Sequence, residues 1–128
     1  MLELQIREKV YQFNFGMGFM HEINKKINQP VDGLKDVSRN IGLRYYVSGL
    51  IDNDVEDLVE VLFAANKGFT PRVTKELLDE FIDNISDIDS FFEEVLDYLK
   101  QANATKKITM LLLAEVERMK AEQAQAKN

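Results

Sequence analysis

Asp52-Asn53-Asp54 places oxygen donors at alternate positions, the spacing at which a loop begins to wrap a calcium ion. The rest of that loop is missing: Asp57 stands where a sharp turn requires glycine, and Phe63 where a bidentate glutamate would close the shell. The same residues suit the N-terminus of a helix, where short polar side chains accept from free backbone amides. Phe15-Gly16-Met17-Gly18-Phe19 lies where a strand gives way to a helix, a place where glycines can bring amides against a phosphate. Its third glycine position holds His21, and no lysine-serine pair follows, so a strand-to-helix turn is the better reading. His21 is the only imidazole, and no nucleophile-elbow pattern flanks Ser38, Ser48, Ser86 or Ser90. The chain contains no cysteine, which removes thiol catalysis, redox pairs and cysteine-based zinc sites. No catalytic residue, cofactor or metal is expected.

The remaining candidate chemistry is apolar contact. Met110-Leu111-Leu112-Leu113-Ala114 covers more than one helical turn and therefore faces every direction, although a core needs only one face. With Met119, and with the thioethers of Met17, Met20 and Met110, it offers an adaptable surface for another protein. Plain core packing is the competing explanation.

The elements that must position this surface follow from periodicity. Leu2, Leu4 and Ile6 alternate with polar residues, and after Arg7-Glu8-Lys9 the alternation resumes at Tyr11, Phe13 and Phe15, which predicts a β-hairpin. An isolated hairpin is marginal in water, so its apolar face must lie on helices or on another copy. These six residues are therefore candidates for self-association. Phe19, Ile23 and Ile27 predict a short helix that stops at Asn28-Gln29-Pro30, and Val31-Asp32-Gly33-Leu34 reads as a turn. A strongly apolar helix from Ile41 to Ile51 should be central. Val55 to Phe63 predicts the next helix, ended near Asn66-Lys67-Gly68. Thr74 and Ser86-Asp87 open two more helices, and a last one runs from about Lys106 to Lys120. The acidic run from Asp83 to Asp97 is interrupted by Phe91 and Phe92 at helical spacing, as on a solvated face beside a buried stripe. The expected architecture is one mainly α domain over residues 1–120, a hairpin followed by five or six helices, with a frayed polar tail at 121–128.

Of the 128 residues, 16 are basic and 22 acidic, giving a formal charge of −6. The first fifty residues carry +2 and the remainder −8. Such acidity repels nucleic-acid backbones and anionic membranes, so neither is an expected partner. No apolar run reaches membrane-spanning length, and the polar start does not suit a secretory signal; a cytoplasmic location is expected.

Lys9-Val-Tyr-Gln-Phe-Asn-Phe-Gly-Met-Gly-Phe, Ile23-Asn-Lys-Lys, Val31-Asp-Gly-Leu, Gly42-Leu-Arg-Tyr and Gly49-Leu-Ile-Asp-Asn-Asp occur in an order that resembles the tail assembly chaperones of Gram-positive long-tailed, siphovirus-type phages and prophages. Leu62-Phe-Ala-Ala-Asn-Lys-Gly, Pro71-Arg-Val-Thr-Lys-Glu-Leu-Leu-Asp, Asp89-Ser-Phe-Phe-Glu-Glu-Val-Leu-Asp and Ala102-Asn-Ala-Thr-Lys continue the resemblance, which spans about residues 2–120. Asn53, where many relatives have glycine, and the segment after Met119 depart from it. The resemblance implies a non-enzymatic factor, absent from the finished virion, that coats apolar helices of the tape measure protein until tail tube subunits replace it. It implies a homo-oligomer, in some relatives a spiral, in the host cytoplasm. It also implies a frameshift-extended product that recruits tail tube protein; Ala126-Lys127-Asn128 is compatible with slippery codons. On this reading the client surface is Met110, Leu111, Leu112, Leu113 and Met119, and self-contact is through Leu2, Leu4, Ile6, Tyr11, Phe13 and Phe15. Two other classes stay open: a stoichiometric scaffold that binds one partner, and a small-molecule or metal-dependent enzyme built around His21.

Overall fold

The alternating opening forms β1 (Leu2–Ile6) and β2 (Lys9–Phe13), joined at Arg7-Glu8. Arg7 takes the left-handed conformation at φ 58°, as a tight two-residue hairpin turn requires. The antiparallel register pairs Leu2 with Phe13, Leu4 with Tyr11 and Ile6 with Lys9, which gathers the apolar side chains on one face. The computed structural model describes residues 1–126.

Among the described residues six helices follow: α1 (Met17–Asn24), α2 (Gly42–Ile51), α3 (Val55–Ala65), α4 (Lys75–Asn84), α5 (Ile88–Gln101) and α6 (Lys106–Ala126). The fold is mainly α, as expected. Three of the starts are capped by side chains: Asp54, Thr74 and Asp87 accept from the amides of Asp57, Leu77 and Ser90 at 3.0, 3.2 and 3.0 Å. The apolar α2 packs against α1, α3, α5 and α6, and buries Leu43, Val47 and Leu50.

Three local features differ from the sequence expectation. First, α1 ends at Asn24 and leaves Ile27 outside the helix. The Asn24 carboxamide accepts from the Leu43 amide at 3.2 Å, so the end of α1 is tied to the start of α2. Second, the turn at Val31–Leu34 is the tip of a projecting ribbon, β3 (Asn28–Pro30) paired with β4 (Ser38–Asn40). Every residue of both strands is exposed, so no burial pattern existed to reveal them. Third, α6 continues through Ala121–Ala126, because Ala, Glu and Gln are good helix formers and no breaker intervenes. Residues 127–128 of the expected tail, and with them most of the suggested slippery segment, lie outside the described residues.

The hairpin face closes the core. Leu2, Leu4, Ile6, Tyr11, Phe13 and Phe15 are all 8% exposed or less, so these side chains face the chain's own interior and are not on offer to a second copy. Several ties hold the hairpin there. The Asn14 amide donates to the Ala65 carbonyl at 3.0 Å, and Tyr98 Oη to the Met1 carbonyl at 3.3 Å. The Arg7 guanidinium binds both Glu80 oxygens, at 2.9 and 3.1 Å.

Glu22 joins α1 to the end of α3 through Lys67, and also pairs with Lys25 at 2.7 Å. Hydrogen bonds from Lys25 and Lys67 lower its pKa from 4.5 to about 2. A lowered carboxyl pKa stabilises the fold fully above the unfolded value, and the contribution disappears as pH falls from there toward the folded value. The melting temperature should therefore fall on acidification from about pH 5 to pH 2, and Glu22→Gln should flatten that fall. Parallel pH curves for the two proteins would show that the Glu22 cluster contributes nothing.

Candidate functional site

The junction between α5 and α6 fixes where the apolar run of α6 points. Thr105 Oγ1 donates to the Leu99 carbonyl at 2.6 Å, and Thr109 Oγ1 to the Thr105 carbonyl at 2.9 Å. Both threonines are fully buried, so the first turns of α6 are held against the body, with Ile108 and Leu112 packed on the core. Beyond Leu112 the helix runs beside the end of α2 and is mostly exposed. From Ala114 to Ala126 every residue is exposed except Val116, which is half-buried.

The five residues expected to bind a client divide between two sides of this helix. At about 100° per residue, Met110 and Leu111 fall on the outward side and Leu113 on the flank, while Leu112 and Met119 share the stripe that begins at Thr105 and Thr109. Met110 is 53% exposed and Leu111 44%; Leu113 is half-buried without joining the core. Leu112 and Met119, with Val116, line a wedge of about 380 Å³ between α6 and the end of α2, where Ser48, Ile51 and Asp52 form the other wall. Val116, Ser48 and Ile51 were not among the residues that the sequence assigned to this surface. The spacing of Thr105, Thr109, Leu112, Val116, Met119 and Gln123 at alternating four and three residues is the signal that marks this stripe.

Of the other candidates, Ser48 and Asp52 lie on the α2 wall of this wedge, and the rest are placed elsewhere. His21 is exposed on α1, and among the described residues no hydrogen bond joins it to a serine. No group of three or more His, Asp or Glu that could hold a metal ion occurs among the described residues. Gly16 caps α1 without a side-chain bond. Asp54 caps α3, and Asn53 occupies a left-handed turn at φ 61°. In the acidic run, Asp83, Asp87, Asp89, Glu93, Glu94 and Asp97 are exposed while Phe91, Phe92 and Val95 are buried, the arrangement expected of a solvated face. Burial, and then the neighbouring Asp54, Glu56 and Glu60, raise the pKa of Asp57. Glu60 is also pushed up by burial, but hydrogen bonds and charges from Lys75 and Lys26 outweigh that and leave it lowered.

No helix among the described residues is long and apolar enough to cross a membrane. The arrangement supplies apolar contact surface on an anchored helix. A family model described as phage tail assembly chaperone protein, TAC, matches residues 3–112. No curated protein and no solved structure matches the chain.

Proposed function

Since the chain belongs to the phage tail assembly chaperone family, we propose that it binds apolar helical segments of a tape measure protein and keeps them soluble until the tail tube polymerises around them. The carrying observation is the outward side of α6, where Met110 and Leu111 stand in solvent on a helix whose base is fixed by buried threonines. An apolar client helix laid along that side would bury these side chains. Many copies along one long client would bind by avidity, so a single chain need hold only weakly. The acidic faces of α4 and α5 would keep such a coat soluble. The setting is the cytoplasm of a bacterial host during assembly of a long-tailed phage, the Gram-positive siphovirus type that the sequence resembles. The coat is absent from the mature virion, and a frameshift-extended form would bring in tail tube protein.

The test is co-expression with the tape measure protein, measuring the soluble fraction of the client and its co-elution with the chaperone. Leu112 packs on the core, so a charge there would confound folding with binding. Met110→Asp and Leu111→Asp are the suitable variants because both side chains are exposed. Burying a leucine stabilises a contact by about 1.5–3 kcal/mol, so either variant should weaken client capture roughly tenfold or more. Equal precipitation of the client with and without this protein would favour a stoichiometric scaffold instead.

A further inference from the structure

Two arginines carry the same group in different situations. Arg7 clasps both oxygens of Glu80 with Nε and Nη2, at 2.9 and 3.1 Å, the side-on fork that matches a carboxylate. Arg72, in the loop before α4, is held through its remaining nitrogen. Its Nη1 donates to the Phe63 carbonyl at 2.7 Å and to Asn66 Oδ1 at 2.9 Å, and its guanidinium carbon lies 4.0 Å over the Phe63 ring. The plane of the group is thereby set in advance. Nε and Nη2, the pair that Arg7 uses, have no hydrogen-bond partner among the described residues, and Arg72 is exposed.

The surface around this fork is basic, in a chain whose formal charge is −6. Lys75 Nζ stands 5.2 Å over the same Phe63 ring and pairs with Glu60, which Lys26 also reaches at 3.3 Å. Lys67 directly follows Asn66 and shares Glu22 with Lys25. Five cations thus meet two carboxylates, a local balance of +3 that leaves −9 on the rest of the chain. The carboxylates are recessed: the Glu22 and Glu60 side chains are 22% and 27% exposed, against 59%, 54% and 46% for Lys25, Lys67 and Lys75. Positive charge is what this surface presents to solvent.

We infer that Arg72 anchors a docking surface for an acidic segment of a partner protein, seating one Asp or Glu side chain against Nε and Nη2 while its acidic neighbours lie over Lys67 and Lys75. A short segment of this kind needs to carry its charge only across the patch. A nucleic-acid strand would continue past it, over the −9 remainder and within the roughly 8–10 Å at which charges are still felt, and would be repelled there. The surface shares no residue with the apolar side of α6, so the inference does not rest on the client reading.

Fluorescence anisotropy of a short labelled oligoglutamate peptide, titrated with the purified full chain, tests this directly. The peptide should bind at low salt and weaken as salt rises. Arg72→Ala should raise the dissociation constant about tenfold or more, and Arg72→Lys nearly as much, because lysine keeps the charge but not the fork. Lys107→Ala removes the same charge from the exposed start of α6 and should leave binding nearly unchanged. Lys67→Gln leaves every contact of Arg72 in place and should weaken binding by a smaller factor, which keeps the test open if changes at Arg72 loosen the loop. Melting curves of each variant show that it is folded at the assay temperature. Absence of binding at low salt, an Arg72→Lys variant that binds like the unaltered chain, an equal loss with Lys107→Ala, or a single-stranded oligonucleotide of matched charge that binds more tightly than the peptide would each overturn the inference. The probe carries no apolar side chain, so its failure would leave the client-capture test untouched.

Discussion

Asn66→Ala should destabilise the protein by about 4 kcal/mol, read as a lower urea midpoint with an unchanged slope. Asn66 is fully buried, yet every polar atom of its side chain is engaged. Its Nδ2 donates to the Gln12 carbonyl at 2.9 Å and to the Pro71 carbonyl at 3.4 Å. Its Oδ1 accepts from the Val73 amide at 2.7 Å and from Arg72 Nη1 at 2.9 Å. One side chain thus joins strand β2, the end of α3 and the loop that leads into α4. Alanine would leave the Val73 amide and the Gln12 carbonyl without these partners, and each buried unsatisfied group costs about 1–3 kcal/mol. Arg72 provides the internal comparison. It donates to the Phe63 carbonyl at 2.7 Å and lies 4.0 Å over the Phe63 ring, but it is exposed. Water can replace much of what it does, so Arg72→Ala should cost only about 1 kcal/mol. Equal losses for the two variants would mean that Asn66 acts as an ordinary helix end and not as a latch.

That contrast marks where reading the sequence stops. Asp54, Thr74 and Asp87 were legible as caps because each acts on an amide three residues away. The hairpin was legible because alternation reports a half-buried face, and α2 because its apolar residues leave room for few charges. Asn66 reads locally as a helix terminus, which it is, but its main partner on β2 lies 54 residues away and leaves no periodic trace. The β3–β4 ribbon left none either, since its strands bury neither face. For α6, composition revealed surplus apolar surface but not its direction. Direction depends on Thr105 and Thr109, whose hydroxyls turn back onto backbone carbonyls and let two polar residues occupy the buried stripe. Once those two positions are inside, Met110 and Leu111 must be outside. The hairpin shows the opposite case: apolar residues that suggested contact between copies are held inside by α3, α4 and α5.

Gly42→Ala and Gly18→Ala should shift stability in opposite directions, although both place alanine within a short helix. Helix propensity alone favours alanine over glycine by about 1 kcal/mol. At Gly18 an added methyl meets nothing within 4 Å, so only that preference and the smaller freedom of the unfolded chain act. A gain of about 0.5 kcal/mol is expected near the helix start. At Gly42 the methyl would collide with the Ile23 carbonyl oxygen, and it would lie 2.8 Å from the Ile23 carbonyl carbon and 2.9 Å from Asn24 Cα. These are backbone atoms and cannot rotate aside. The end of α1 would have to move, taking with it the Asn24 acceptor of the Leu43 amide and the Ile27 carbonyl that receives the Ile41 amide at 2.8 Å. Overpacking of this kind outweighs propensity, and a net loss of about 3 kcal/mol is expected. Because α2 contacts α1, α3, α5 and α6, the loss should appear as a lower midpoint of the whole cooperative transition, not as a separate early phase. Paired thermal melts decide it: a neutral Gly42→Ala would mean that α1 and α2 are free to separate. The root of the β3–β4 ribbon and the α2 wall of the wedge beside α6 would then be less firmly placed than their contacts imply.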